Sequence, residues 1–259
     1  MNNTFTFNRF ALLFKKQFVE NISTYLMSAA VLIGFLAVVL GFSAYVNDAN
    51  LGEGTQFKIF IVLLMFSGVI FTSTIFADLG DKKKAIPMLT LPVSHLEKYL
   101  VGWIYSFLIF LLVFTACFYL VDSLTIYICN LNSVQKNEVL SLFDHELQPY
   151  KVISPFAVLH ALAFTGAIFF EKLHLIKTAF FTLLMVFAIF LLNQPLVKAI
   201  FEPEVRNTVP FDHVGVIDGK DVWYIQPTAD SQYILSILVV LLIIIFWASA
   251  YFKLKEKQV

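Results

Sequence analysis

The sequence predicts an all-α integral membrane protein: six transmembrane helices, an N-terminal amphipathic surface helix and both termini in the cytoplasm. Three observations predict it. Of 259 residues, 59% are hydrophobic and only 14% charged, where soluble domains carry about a quarter charged. The mean hydropathy is +0.81. The charges do not spread into a polar shell but cluster in short segments between long apolar runs, and basic and acidic residues segregate between alternate segments.

Each span needs roughly 20 apolar residues to cross about 30 Å of hydrocarbon. Before the first lies Met1 to Tyr25, where Arg9, Lys15 and Lys16 interrupt the apolar residues and no small-x-small site follows, so this stretch is expected to be retained rather than cleaved. Residues 1–24 read instead as an amphipathic helix. At 100° per residue Phe7, Phe10, Phe14 and Phe18 form one stripe, with Arg9, Lys16 and Glu20 opposite. Such a helix lies on the membrane with its basic face among headgroups; the plainer alternative is a basic flank to the first span. The spans follow at 25–46, 59–77, 99–121, 155–170, 178–200 and 233–252 within a single transmembrane domain, 1–259. The fourth is shortest and carries His160. Ser154 and Pro155 suit its start as N-cap and first helical residue. In the fifth, Asn193, Gln194 and Pro195 predict a kink or an early stop.

Six spans place both termini on one side. The N-terminal, 2–3, 4–5 and C-terminal segments hold twelve basic and six acidic residues, and the other side holds six basic and twelve acidic. Lys and Arg mark the cytoplasmic side.

Between spans two and three runs Asp78 to Lys98, DLGDKKKAIPMLTLPVSHLEK. Gly80 and Asp81 suit a turn, and Lys82 to Lys84 can sit against anionic headgroups. Ala85 to Leu91 is apolar but too short to span; Ser94 and Glu97 have the spacing of a capping box that starts span three. An ordinary interfacial loop is the competing reading. On the other side, Val214 to Ile225 reads as two β-prone runs joined by Asp218-Gly219, a small external hairpin between spans five and six. Residues 129–150 show no period.

The sequence offers no catalytic chemistry. No glycine opens a GxxxxGK[ST] string, so the chain is not expected to bind ATP by that route. His145-Glu146 begins HExxH, but position 149 is Pro. Glu171 and His174 have i, i+3 spacing but no partners for a metal. His160 reads as a hydrogen-bonding residue between helices. Cys117 and Cys129 read as packing residues. No cofactor and no nucleic-acid partner is expected. Apart from Lys198 near the end of the fifth, the six spans contain no Asp, Glu, Lys or Arg, unlike the proton relays of ion-coupled transporters.

This order of elements, with Leu89-Thr90-Leu91-Pro92-Val93-Ser94 and Glu97-Lys98, and Phe169-Phe170-Glu171-Lys172 running to Ile176-Lys177-Thr178, resembles the permease subunits of ABC-2 type exporters. The likeness is to the short bacterial six-span permeases whose ATPase is encoded separately. It covers the whole chain in topology and those two stretches locally. The resemblance implies a multi-pass protein of the bacterial cytoplasmic (inner) membrane, not itself an enzyme, in a homodimer or heterodimer of permeases with a cytoplasmic ABC ATPase. It further implies that Phe7, Arg9, Phe10, Phe14 and Lys16 belong to a connecting helix. Ala85, Ile86, Met88, Leu89, Leu91, Ser94 and Glu97 would form the ATPase-coupling element. The alternative is a non-transport assembly or sensory subunit whose external hairpin binds a partner.

Overall fold

The computed structural model describes residues 5–76, 91–132, 136–141, 149–171, 173–201, 205–210, 213–218, 221–225 and 228–256. Helix α1, Phe7–Val46, is followed by α2, Glu53–Ile75. Next comes α3, His95–Trp103, a π turn over Ile104–Ile109, and α4, Phe110–Asn132. A 3-10 turn at Pro149–Val152 leads into α5, Ile153–Phe169, and then α6, His174–Phe201. Strands β1 (Val205–Thr208), β2 (Val214–Asp218) and β3 (Asp221–Ile225) precede α7, Ala229–Glu256. Five helical stretches are long and apolar enough to cross a membrane, and α5 is a shorter apolar helix. The chain is thus an all-α membrane protein of several passes, with a small sheet.

The expected amphipathic helix is not a separate element. α1 runs unbroken for 40 residues, about 60 Å at 1.5 Å per residue, because no proline interrupts it. It ends where Asp48 and Ala49 adopt positive φ (51° and 63°), held by Ala49 N–H donating to the Ala44 carbonyl at 2.8 Å. The early stop expected at Pro195 does not occur: α6 continues through it to Phe201. Asn193 instead donates to the Thr208 hydroxyl of β1 at 2.6 Å, so its polar side chain ties the helix to the sheet.

The sheet has the order β1-β2-β3, both pairs antiparallel. Asp218 pairs with Asp221, which puts the connection at 219–220, outside the described residues and one position later than Asp218-Gly219. β1 has no alternating pattern in its sequence VRNT; it is recruited by pairing with β2.

The short helix α5 is the centre of the bundle, packed against α2, α6 and α7. With lipid as apolar as the side chains, association depends on close packing and on hydrogen bonds, which favours small residues at contacts. Ala157, Ala161, Ala163 and Ala167 are all buried. Gly166 lies so close to Thr178 of α6 that a Cβ there would overlap the hydroxyl, and a Cβ at Gly68 of α2 would press on the Phe156 ring. Around this helix the core is aromatic. Phe60 meets Phe114 and Phe118 edge-on at 5.5 and 5.0 Å, and Phe107 stacks on Phe156 at 5.6 Å; such pairs add about 1 kcal/mol each beyond their buried area. Cys117 and Cys129 are both buried and in no disulfide, as packing residues would be.

Candidate functional site

The site assembles at the N-terminal ends of α1 and α3. Pro92 keeps the preceding backbone out of helix, and Ser94 is extended (φ −68°, ψ 154°). Its hydroxyl accepts from the Glu97 N–H at 3.2 Å, and its own N–H donates to Glu97 Oε2 at 2.7 Å. This is the capping box that the Ser94/Glu97 spacing predicts.

The second carboxylate oxygen was not foreseen in its role. Glu97 Oε1 accepts the Thr6 N–H at 2.7 Å and Arg9 Nη2 at 3.3 Å. Thr6 is the N-cap of α1, makes no side-chain cap bond, and α1 has no acidic residue in its first turn. One carboxylate therefore stands at the N-termini of two helices, where their partial positive charges favour an anion. Glu97 is wholly buried, while Arg9 keeps 31% of its side chain exposed. It lies before Tyr99, where the apolar stretch begins. Burial pushes its carboxyl up, but the backbone donors of Thr6 and Ser94 and the Arg9 guanidinium outweigh it and hold the group below the usual carboxylate range.

Further along α1, Phe10 and Phe14 are half-buried, and Phe14 lies 4.7 Å from the Tyr105 ring. The Tyr105 hydroxyl donates to the Phe14 carbonyl at 3.0 Å. Phe7, at the free end of the stripe, is 73% exposed. Lys16 pairs with Glu20 at 3.7 Å and, with Gln17, Tyr25, Thr74, Leu91 and Lys98, lines a cleft of about 420 Å³ between α1, the end of α2 and α3. Of the expected coupling residues, the structure thus joins Ser94 and Glu97 to Arg9 and places Leu91 and Lys16 on the same cleft. Ala85, Ile86, Met88 and Leu89 lie outside the described residues, as do Lys82 to Lys84 and His145-Glu146.

Inside the bundle His160 bonds two helices, as its lone position in an apolar run suggests. Its Nε2 lies 2.9 Å from Ser106 Oγ, a spacing shared with nucleophile and base pairs. Trp247 Nε1–H, which can only donate, points at Nδ1 at 3.3 Å. Nδ1 is therefore the acceptor and Nε2 carries the proton, so His160 donates to Ser106 and has no lone pair with which to take its proton. Among the described residues no three His, Cys, Asp or Glu come together as a metal set.

Two features escaped the sequence. α4 extends past Val121 and takes in Asp122, which is fully buried and has only the Leu140 amide near its oxygens, without a hydrogen bond of good geometry; its position one residue beyond the apolar run was the available signal. Gln56, also fully buried, donates to the Leu51 and Glu138 carbonyls, both at 2.8 Å, and accepts from Leu140 N–H at 2.7 Å. It pins residues 136–141 to the α1–α2 connection, helped by Asn137, which accepts from the Leu51 N–H and donates to the Ala49 carbonyl. Comparison with protein-family models, curated proteins and solved structures finds no match to this chain.

Proposed function

We propose that the chain is the transmembrane permease subunit of an ABC-2 type transporter, an exporter in the bacterial cytoplasmic membrane with both termini cytoplasmic. A separate ABC ATPase drives it through residues 78–98, and a second permease subunit completes the pathway. The chain itself hydrolyses nothing. The observation that carries this reading is Glu97. Its carboxylate binds Thr6 and Arg9 at the start of α1 and Ser94 at the start of α3, so the two segments assigned to ATPase contact are held as one body. A push on either is transmitted to both. Basic charge supports the cytoplasmic placement, since Arg9, Lys15, Lys16, Lys82, Lys83, Lys84 and Lys98 all belong to these two segments.

The test is purification of the tagged chain from its native membrane, alongside a variant with Met88, Leu89 and Leu91 replaced by Asp. ATP hydrolysis should accompany the first and be lost from the second. Full hydrolysis and coupling in the variant would sink the proposal.

A second reading, an assembly or sensory subunit, draws on the exposed Trp223, Tyr224 and Ile225 of the edge strand β3. Deleting 214–225 would then abolish function without changing any nucleotide dependence.

A further inference from the structure

Between α3 and α4 the backbone makes a π turn over Ile104–Ile109. A π turn inside an α-helix accommodates one extra residue and tends to occur where function needs it. Three consecutive residues of this turn are buried, and each is tied to a different group. The Tyr105 hydroxyl donates to the Phe14 carbonyl of α1 at 3.0 Å. The Ser106 hydroxyl donates to the Gly102 carbonyl at 2.8 Å and accepts from His160 of α5 at 2.9 Å. Phe107 stacks on Phe156 of α5 and meets Trp247 of α7 edge-on at 5.7 Å. His160 accepts in turn from Trp247. The hydrogen bonds run in one direction, from Trp247 through His160 and Ser106 to the backbone of α3.

We infer that the π turn at Ile104–Ile109 is a two-position joint that carries movement from the Glu97 end of α1 and α3 to α5 and α7. The inference takes its driving end from the coupling function proposed above; the joint itself rests on the contacts of Tyr105 and Ser106. A π turn absorbs its extra residue without changing the register of the flanking helices. Drawn out into regular α-helix, it turns α3 relative to α4 by one residue, about 100° and 1.5 Å. That step parts Tyr105 from Phe14 and Ser106 from His160 together, because both side chains ride on the turn. The hold of α1 on Tyr105 and the hold of α5 on Ser106 therefore bias one equilibrium, which is the physical condition for coupling two places in a protein.

The experiment uses the full chain in lipid nanodiscs, labelled with 5-fluorotryptophan, with the Trp103 resonance assigned through Trp103→Phe. Trp103 directly precedes the turn. Two exchanging Trp103 environments are expected. Ser106→Ala removes one hydrogen bond from the latch and should change their ratio about fivefold. Deleting Leu108, which is 42% exposed, removes the extra residue while keeping the flanks in register, and should leave a single Trp103 line. A single Trp103 line in the native chain that Ser106→Ala leaves unchanged would overturn the joint, as would two lines persisting in the deletion. If the deletion does not fold, Ser106→Ala decides alone. No ATPase is present, so failure here leaves the coupling function standing, and failure of that function leaves this result standing.

Discussion

Replacing Glu97 by Ala removes the acceptor of three donors at once: the Thr6 and Ser94 backbone amides, each at 2.7 Å, and Arg9 at 3.3 Å. Hydrogen bonds to a charged group contribute about 1.5–3 kcal/mol each, but the three share one carboxylate and do not add. Arg9 is 31% exposed and regains water when its partner is lost, as does the amide of Thr6, an exposed residue at the start of α1. The expected net loss is about 3 kcal/mol, at the lower end for breaking a buried ion pair. At 2–4 °C per kcal/mol for a chain of this size, melting falls by roughly 10 °C. Glu97→Gln keeps one acceptor oxygen but turns an NH₂ toward a backbone donor, and should fall between the two. Thermal unfolding in detergent, followed by tryptophan fluorescence, measures the shift. Hydrogen exchange at the amides of residues 6–10 shows whether the start of α1 is released. Melting of Glu97→Ala within about 2 °C of the native chain, with unchanged exchange at those amides, would refute the reasoning.

Four further perturbations follow from the same contacts. Gly166→Val sets a branched side chain against Thr178, and overpacking there should cost about 3 kcal/mol, read as a lower melting temperature. Asp122→Leu replaces a buried acidic group that has no well-formed hydrogen bond by an apolar side chain, and should raise stability by about 1–3 kcal/mol in the same melt. Gln56→Leu loses three hydrogen bonds and should cost about 3 kcal/mol, with faster proteolysis at residues 136–141 as its second signature. Ala49→Gly relieves a positive φ of 63° and should stabilise by about 1 kcal/mol.

The apolar runs announced the helices because lipid leaves little choice of structure: every backbone group must be paired within the segment. Their ends were harder to read. α4 could be traced to Val121 from hydropathy, but its hydrogen bonding continues through Asp122 to Asn132, since a polar residue packed against neighbours does not stop a helix. The early stop allowed for at Pro195 does not come for a different reason: the rest of α6 is strongly apolar and tolerates one missing donor. The capping box was legible because Ser94 and Glu97 are neighbours in sequence. The Thr6 and Arg9 contacts were not, because they lie 91 and 88 residues from Glu97 and nothing local distinguishes a solvated Arg9 from a paired one. The π turn was equally hidden. Its sequence, IYSFLI, is ordinary helix-forming text, and only Ser106 meeting His160 and Tyr105 meeting Phe14 reveal why an extra residue is kept.

Under the proposed function these contacts form one route for force. The proposed ATPase-coupling set includes Glu97, which holds the start of α1, and along α1 Phe14 and Tyr105 lead to the π turn and so to α5, the helix that α2, α6 and α7 all touch. A movement at the Lys-rich end therefore meets the centre of the bundle rather than its lipid-facing rim.

The most direct measurement is the ATP hydrolysis rate of the chain assembled with its ATPase in nanodiscs, compared with the ATPase alone. The account predicts that the native chain changes the rate, and that Glu97→Gln stays assembled but returns the rate to that of the ATPase alone. An assembled Glu97→Gln complex that hydrolyses ATP at the native complex's rate would contradict it.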